Sequence, residues 1–194
     1  MEVVAFTFGS APWLAAIGGL SLWWRGPKLW SGFSRTTSLR AVGIGICVGV
    51  TYQLVGTFAV EPILARLTSG QLPDVSGFRS IVGNEAQLAY WMALSWSLAA
   101  FVEEIAYCGW VLTRCAEIGR FSKGAWVGGA SSALFGAVHA YQGLSGVFAT
   151  GLTGPVFAGV YLVTGRNLWA TIVSHGVLDT TGFIMMYFGV YPGI

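Results

Sequence analysis

The stretch FVEEIAYCGW, Phe101 to Trp110, places two adjacent glutamates inside one of the longest apolar runs of the chain. Charge is scarce elsewhere: Asp, Glu, Lys and Arg make up 9% of the 194 residues, against about one quarter in a soluble domain. Apolar residues make up 55%, and the mean hydropathy is +0.68. Several windows reach the about 20 apolar residues that a helix needs to cross a hydrocarbon core of roughly 30 Å. A lipid-exposed span must be a helix or part of a closed barrel, and apolar runs this long without alternation are helical. The expected fold is all-α, a polytopic membrane helix bundle of about six transmembrane helices. The spans are Val3 to Trp24, Ala41 to Val60, Ala86 to Arg114, Ala125 to Tyr141, Leu144 to Val163 and Leu168 to Tyr187. One domain covers residues 1–194, with no internal repeat or low-complexity tract to divide it.

The few charges outside the spans are ordered. Arg25, Lys28, Arg35, Arg40, Arg114, Arg120, Lys123 and Arg166 fall in alternate connections, and a Lys/Arg bias of this kind marks the cytoplasmic side. Arg66 and Arg79 share the opposite side with Glu61, Asp74 and Glu85, so both termini are expected outside. Trp23, Trp24, Trp30, Trp110, Trp126 and Trp169 lie near the inner span ends, where aromatic rings favour the headgroup level. The opening MEVV has an acid where a secretory signal carries basic residues, so the first span is expected to stay in place. A net charge of +2 gives no case for nucleic acid. Cys47, Cys108 and Cys115 are odd in number and suggest no disulfide framework.

With the loop charges set aside, the ionisable residues inside the membrane are Glu103, Glu104, His139, His175 and Asp179. Each is costly in hydrocarbon and needs a partner or a water-filled cavity. At about 1.5 Å per residue, Glu103 and Glu104 lie roughly 15 to 17 Å from Arg114, His139 about 21 Å from Ala125, and His175 and Asp179 about 10 and 17 Å from Leu168. All five therefore fall in one central layer. His175 and Asp179 are four apart and share a helix face, as do Phe135 and His139. Structural contacts between helices are the bland reading of such residues, worth about 1 kcal/mol each. A proton or ion pathway would place acids at several depths. A single layer on three spans points instead to a functional site.

The motifs EEIAYCG (Glu103 to Gly109), SSALFGAVH (Ser131 to His139) and HGVLD (His175 to Asp179) resemble the three motifs of the CPBP family of intramembrane proteases, written EExxxR, FxxxH and HxxxN or HxxxD. That family includes the type II CAAX prenyl protease and bacteriocin-processing or self-immunity (Abi) proteins. The resemblance covers about residues 86–187, with the motifs in order on successive spans. It implies a glutamic-type endopeptidase in which Glu103 and His139 activate a water, His175 and Asp179 stabilise the oxyanion, and Glu104 supports the site. It also implies a multi-pass protein of a prokaryotic plasma membrane, a membrane-associated peptide or protein substrate, the lipid bilayer as surroundings, and no cofactor. Oligomeric state is not implied. One position departs from the pattern: Cys108 stands where the family has Arg. A neutral thiol cannot hold Glu104 ionised, so Glu104 is expected to be protonated unless another span supplies a cation. Arg114 lies too far along to do so.

The chemistry has a basis apart from the resemblance. A carboxylate in a low-dielectric cavity gains proton affinity and becomes a competent general base near neutral pH, and a neighbouring imidazole can orient the same water. A donor from His175, held by Asp179 one turn on, can meet the charge developing on a carbonyl oxygen. Two His and a carboxylate could also hold zinc with an open position. A serine protease is a further reading, since GLSG (Gly143 to Gly146) matches the GxSG of rhomboid proteases, but Ser145 and His175 would be separated by roughly 20 Å in depth. From other classes, the alternatives are an inactive relative that binds or scaffolds membrane partners, and a transporter. Gly128, Ser132 and Gly136 form a small-residue stripe read as helix packing. Tyr107 is read equally as a hydrogen-bond partner of Glu103 or as core, and Pro155 is expected to kink its span.

Overall fold

The computed structural model describes Phe33 and residues 39–68, 70–112 and 133–194, and among these every regular element is helical. Helix α1 is Leu39–Leu67, α2 covers residues 85–112, α3 residues 133–138, α4 is Gly143–Val163 and α5 is Leu168–Tyr187. Short 3₁₀ turns, Ser76–Ile81 and Ala140–Gln142, precede α2 and α4.

Helix α1 shows the environment that the sequence demands. Its inward positions Ala41, Gly45, Gly49, Gln53 and Thr57 recur every four residues, while Ile46, Leu54, Val55, Phe58 and Ile63 are exposed. A soluble helix turns its apolar stripe to the core. Here small and polar residues face the protein and large apolar ones face outward, the arrangement of helices packed within lipid. The small residues let α1 lie along α5: a Cβ added at Gly45 would sit 2.8 Å from the Ala170 carbonyl oxygen, and one at Gly49 2.6 Å from that of Ser174. Gln53 comes next, against Gly182, so α1 and α5 run parallel.

At Gly56–Val60 the turns of α1 widen to the i→i+5 pattern, and the Glu61 N–H bonds to the Gly56 carbonyl. Pro62 follows and has no N–H to give, so the register change falls where a regular ladder would be interrupted. The helix then continues to Leu67 instead of ending at Val60. Glu61 consequently lies within it and not in an outer loop.

Helices α1, α2, α4 and α5 fall on four of the six expected segments. The first expected span, Val3 to Trp24, lies outside the described residues, as do Arg25, Lys28, Arg35, Arg114, Arg120 and Lys123. Of the fourth, residues 133–141 are described, and the helix stops at residue 138. Two segments, Leu39–Leu67 and Ala140–Val163, are long and apolar enough to cross a membrane. The ionisable pairs Glu103/Glu104 and His175/Asp179 dilute α2 and α5, which is why hydropathy alone does not single them out. Gly136 keeps α3 close to α4, since an added Cβ would meet the Val147 carbonyl oxygen at 2.5 Å. Gly128 and Ser132 lie outside the described residues. Helix α4 runs through Pro155 without a break.

Two apolar clusters brace α5. Ala100, Cys108, Leu112, Phe157, Tyr161, Leu168 and Ile172 join α2, α4 and the first half of α5. Val75, Ile81, Trp91, Phe183, Met186 and Tyr191 pack the far half against the segment before α2. That segment is fastened by the Asp74 N–H to the Gln142 carbonyl at 2.9 Å, and Asn84 caps α2 by accepting from the Gln87 N–H at 3.1 Å.

Candidate active site

Helix α2 carries the two glutamates past a cavity of about 190 Å³. Its turns widen over Ser95–Glu103 and again over Ile105–Val111, on either side of Glu104. Such i→i+5 segments are rare and frequent at functional sites. Both glutamates are thereby turned inward, at 7% exposure for Glu103 and 1% for Glu104. They have different surroundings. Glu103 lines the cavity, and among the described residues no side chain hydrogen-bonds to it. Glu104 lies behind His175, out of the cavity.

His175 joins the two. Its Nδ1 lies 3.0 Å from Glu104 Oε1, and its Nε2 lies 3.7 Å from Asp179 Oδ2. One proton sits on the Nδ1···Oε1 line, carried by the imidazole when Glu104 is ionised. Phe135 stands edge-on to the ring at 5.9 Å and Phe157 lies tilted against it at 5.1 Å, which fixes the ring plane. Asp179 takes its own hydrogen bond from the Ser95 hydroxyl of α2, at 2.6 Å. Gly176 leaves room for Trp96, whose ring would lie 2.7 Å from an added Cβ and whose Nε1 donates to Thr180 at 3.0 Å.

His139 follows the last residue of α3, where the chain passes into the 3₁₀ turn Ala140–Gln142 and at once into α4. Its Nδ1 is 2.8 Å from the Phe135 carbonyl oxygen. A carbonyl can only accept, so Nδ1 carries the proton in this bond, and Nε2 is the nitrogen left for the cavity. Glu103, His139, His175 and Asp179 all line that one cavity.

Two expectations about partners change. His175 is held chiefly by Glu104 and not by Asp179, which is farther away and engaged by Ser95. The sequence offers Glu104 no nearby arginine; the partner it finds is the imidazole of His175 on α5. Cys108, one turn beyond Glu104, is buried and packs in the apolar cluster with Ala100, Leu112 and Phe157. Tyr107 is core: it is buried and meets Phe135 edge-on at 5.1 Å, with no hydrogen bond to Glu103. Ser145 is fully buried at the start of α4 and does not line the cavity. Among the described residues no three His, Cys, Asp or Glu side chains are grouped so that they could hold a metal ion.

Sequence reasoning missed Ser95 and Glu61, which also line the cavity. The signal for Glu61 was present. It continues the four-residue spacing of Gln53 and Thr57 on α1.

No curated protein and no solved structure matches the chain. A family model described as type II CAAX prenyl endopeptidase Rce1-like matches residues 85–181, a segment that begins with α2 and contains all five residues of the cavity motifs. The chain therefore belongs to the Rce1-like family of type II CAAX prenyl endopeptidases, a peptidase family of membrane proteins.

Proposed function

We propose that the protein is an intramembrane endopeptidase of the glutamic type, acting on a membrane-associated peptide or protein. The observation that carries this reading is that Glu103, His139 and His175 open onto one cavity while Glu104 stays behind His175. Glu103 takes a proton from water as the water oxygen attacks the scissile carbonyl carbon. His139, neutral with its Nδ1 proton committed to Phe135, orients that water through Nε2. His175 donates to the oxyanion from Nε2, its ring held by Glu104, with Asp179 placed by Ser95 beside it. The proton on Glu103 then passes to the leaving nitrogen as the C–N bond breaks. The protein crosses the membrane several times, with both termini outside, in a prokaryotic plasma membrane.

The test is cleavage of a membrane-anchored peptide by the purified full chain in liposomes, with and without a strong chelator. The expected result is turnover that survives chelation, with no stoichiometric zinc by elemental analysis. Loss on chelation with recovery on adding zinc would transfer the chemistry to metal-assisted hydrolysis. Peptide binding without any turnover would favour the inactive scaffold.

A further inference from the structure

The same cavity contains a second group of polar side chains that the proposed chemistry does not use. Tyr52, Gln53 and Glu61 on α1, Thr153 on α4 and Tyr191 beyond α5 all line it. Gln53 Nε2 donates to Thr57 Oγ1 at 2.9 Å. The Tyr191 hydroxyl donates to Glu61 Oε1 at 3.1 Å, with Oε2 at 3.4 Å.

Glu61 is the unusual member. A carboxylate within a long apolar helix is costly unless it is paired or has a function. Among the described residues no cation pairs with it, and the one hydroxyl proton of Tyr191 leaves most of its about four acceptor sites open. A clasp that only fastened the chain beyond α5 to α1 would need a neutral acceptor, which glutamine supplies at lower cost. A carboxyl group left unpaired in such a place gains most from a cation that arrives with a ligand.

Its distance from the catalytic residues follows from the packing of α1 on α5. Gln53 lies against Gly182, three residues past Asp179, and Glu61 is eight residues further along α1. At about 1.5 Å per residue, Glu61 is roughly 12 to 16 Å from the level of Asp179 along the cavity. An extended peptide covers that distance in four or five residues at about 3.3 Å each.

We infer that Glu61, positioned by Tyr191, is a specificity-determining subsite that takes a cationic side chain, Lys or Arg, four or five residues from the scissile bond. The inference rests on the proteolytic reading of this cavity, and its test separates the two. Full-chain protein in liposomes is given a membrane-anchored fluorogenic peptide series carrying Lys, norleucine or Glu at each of six positions on either side of the cleaved bond. Wild type is expected to prefer Lys by about tenfold in kcat/KM at one position four or five residues away, as a partly desolvated ion pair allows. Glu61→Gln should bring that ratio close to one, and Glu61→Lys should reverse it in favour of Glu. A ratio unchanged in Glu61→Gln overturns the subsite, and so does a wild type without any position-specific preference for Lys. Binding of the same peptides to Glu103→Gln, read by fluorescence anisotropy, reports the preference without turnover. If wild type cuts no peptide but binds Lys through Glu61, the protease reading fails and the subsite stands. If it cuts without a Glu61-dependent preference, the subsite alone fails.

Discussion

Replacing Gly49 with alanine adds one methyl group at the contact on which the site depends. That Cβ would lie 2.6 Å from the Ser174 carbonyl oxygen and 2.9 Å from Val177 Cβ, where ordinary contact begins at 3.4 Å. The shortfall of about 0.8 Å falls on backbone, which cannot rotate aside, so α1 and α5 must separate by about that amount. Overpacking of this kind costs about 1–3 kcal/mol. His175 is the next residue after Ser174, so the same shift moves the proposed oxyanion donor by nearly 1 Å, a misplacement that can lower turnover by about 10²-fold. Gly43, on the same helix, has nothing within 4 Å of an added Cβ, and Gly43→Ala should be neutral or stabilise by up to about 1 kcal/mol through helix propensity. The assay pairs thermal unfolding of both variants in detergent with peptide cleavage in liposomes. Equal stability and equal turnover in the two variants would refute the packing argument.

Three further variants probe the surroundings of His175. Cys108→Ala should change activity little, whereas Cys108→Arg should be more stable with Glu104 present than in a Glu104→Gln background, as measured by expression and melting temperature; equal stability would show that positions 104 and 108 do not interact. Ser95→Ala removes the 2.6 Å hydrogen bond to Asp179 and should cost about 1–3 kcal/mol in stability while lowering kcat more than it raises KM. An unchanged kcat would take Asp179 out of the mechanism.

The helical class and the residues around the cavity were legible in the sequence because an ionisable side chain in a long apolar run needs a reason, and few such residues exist. The resemblance gave Glu103 the water and Glu104 a supporting place, but the adjacency of the two says nothing of where each side chain points. Only the widened turns of α2 and the position of His175 show one carboxylate facing the cavity and the other lying behind the imidazole. The partner of Glu104 is 71 residues away in the chain, a pairing that no local spacing encodes. Glu61 was misplaced because the Glu61–Pro62 pair reads as a helix end, and the register change that lets α1 continue past it has no sharp sequence signature. The end of the helix at residue 138 was not foreseen because nothing local marked the 3₁₀ turn that follows His139.

The central claim is that Glu103 is the proton acceptor for the attacking water. Glu103→Gln keeps the size and polarity of the side chain and removes the base. Measured on one membrane-anchored peptide beside wild type, at matched thermal stability, its kcat should fall by about 10² or more. Turnover within a few-fold of wild type in that folded variant would contradict the account.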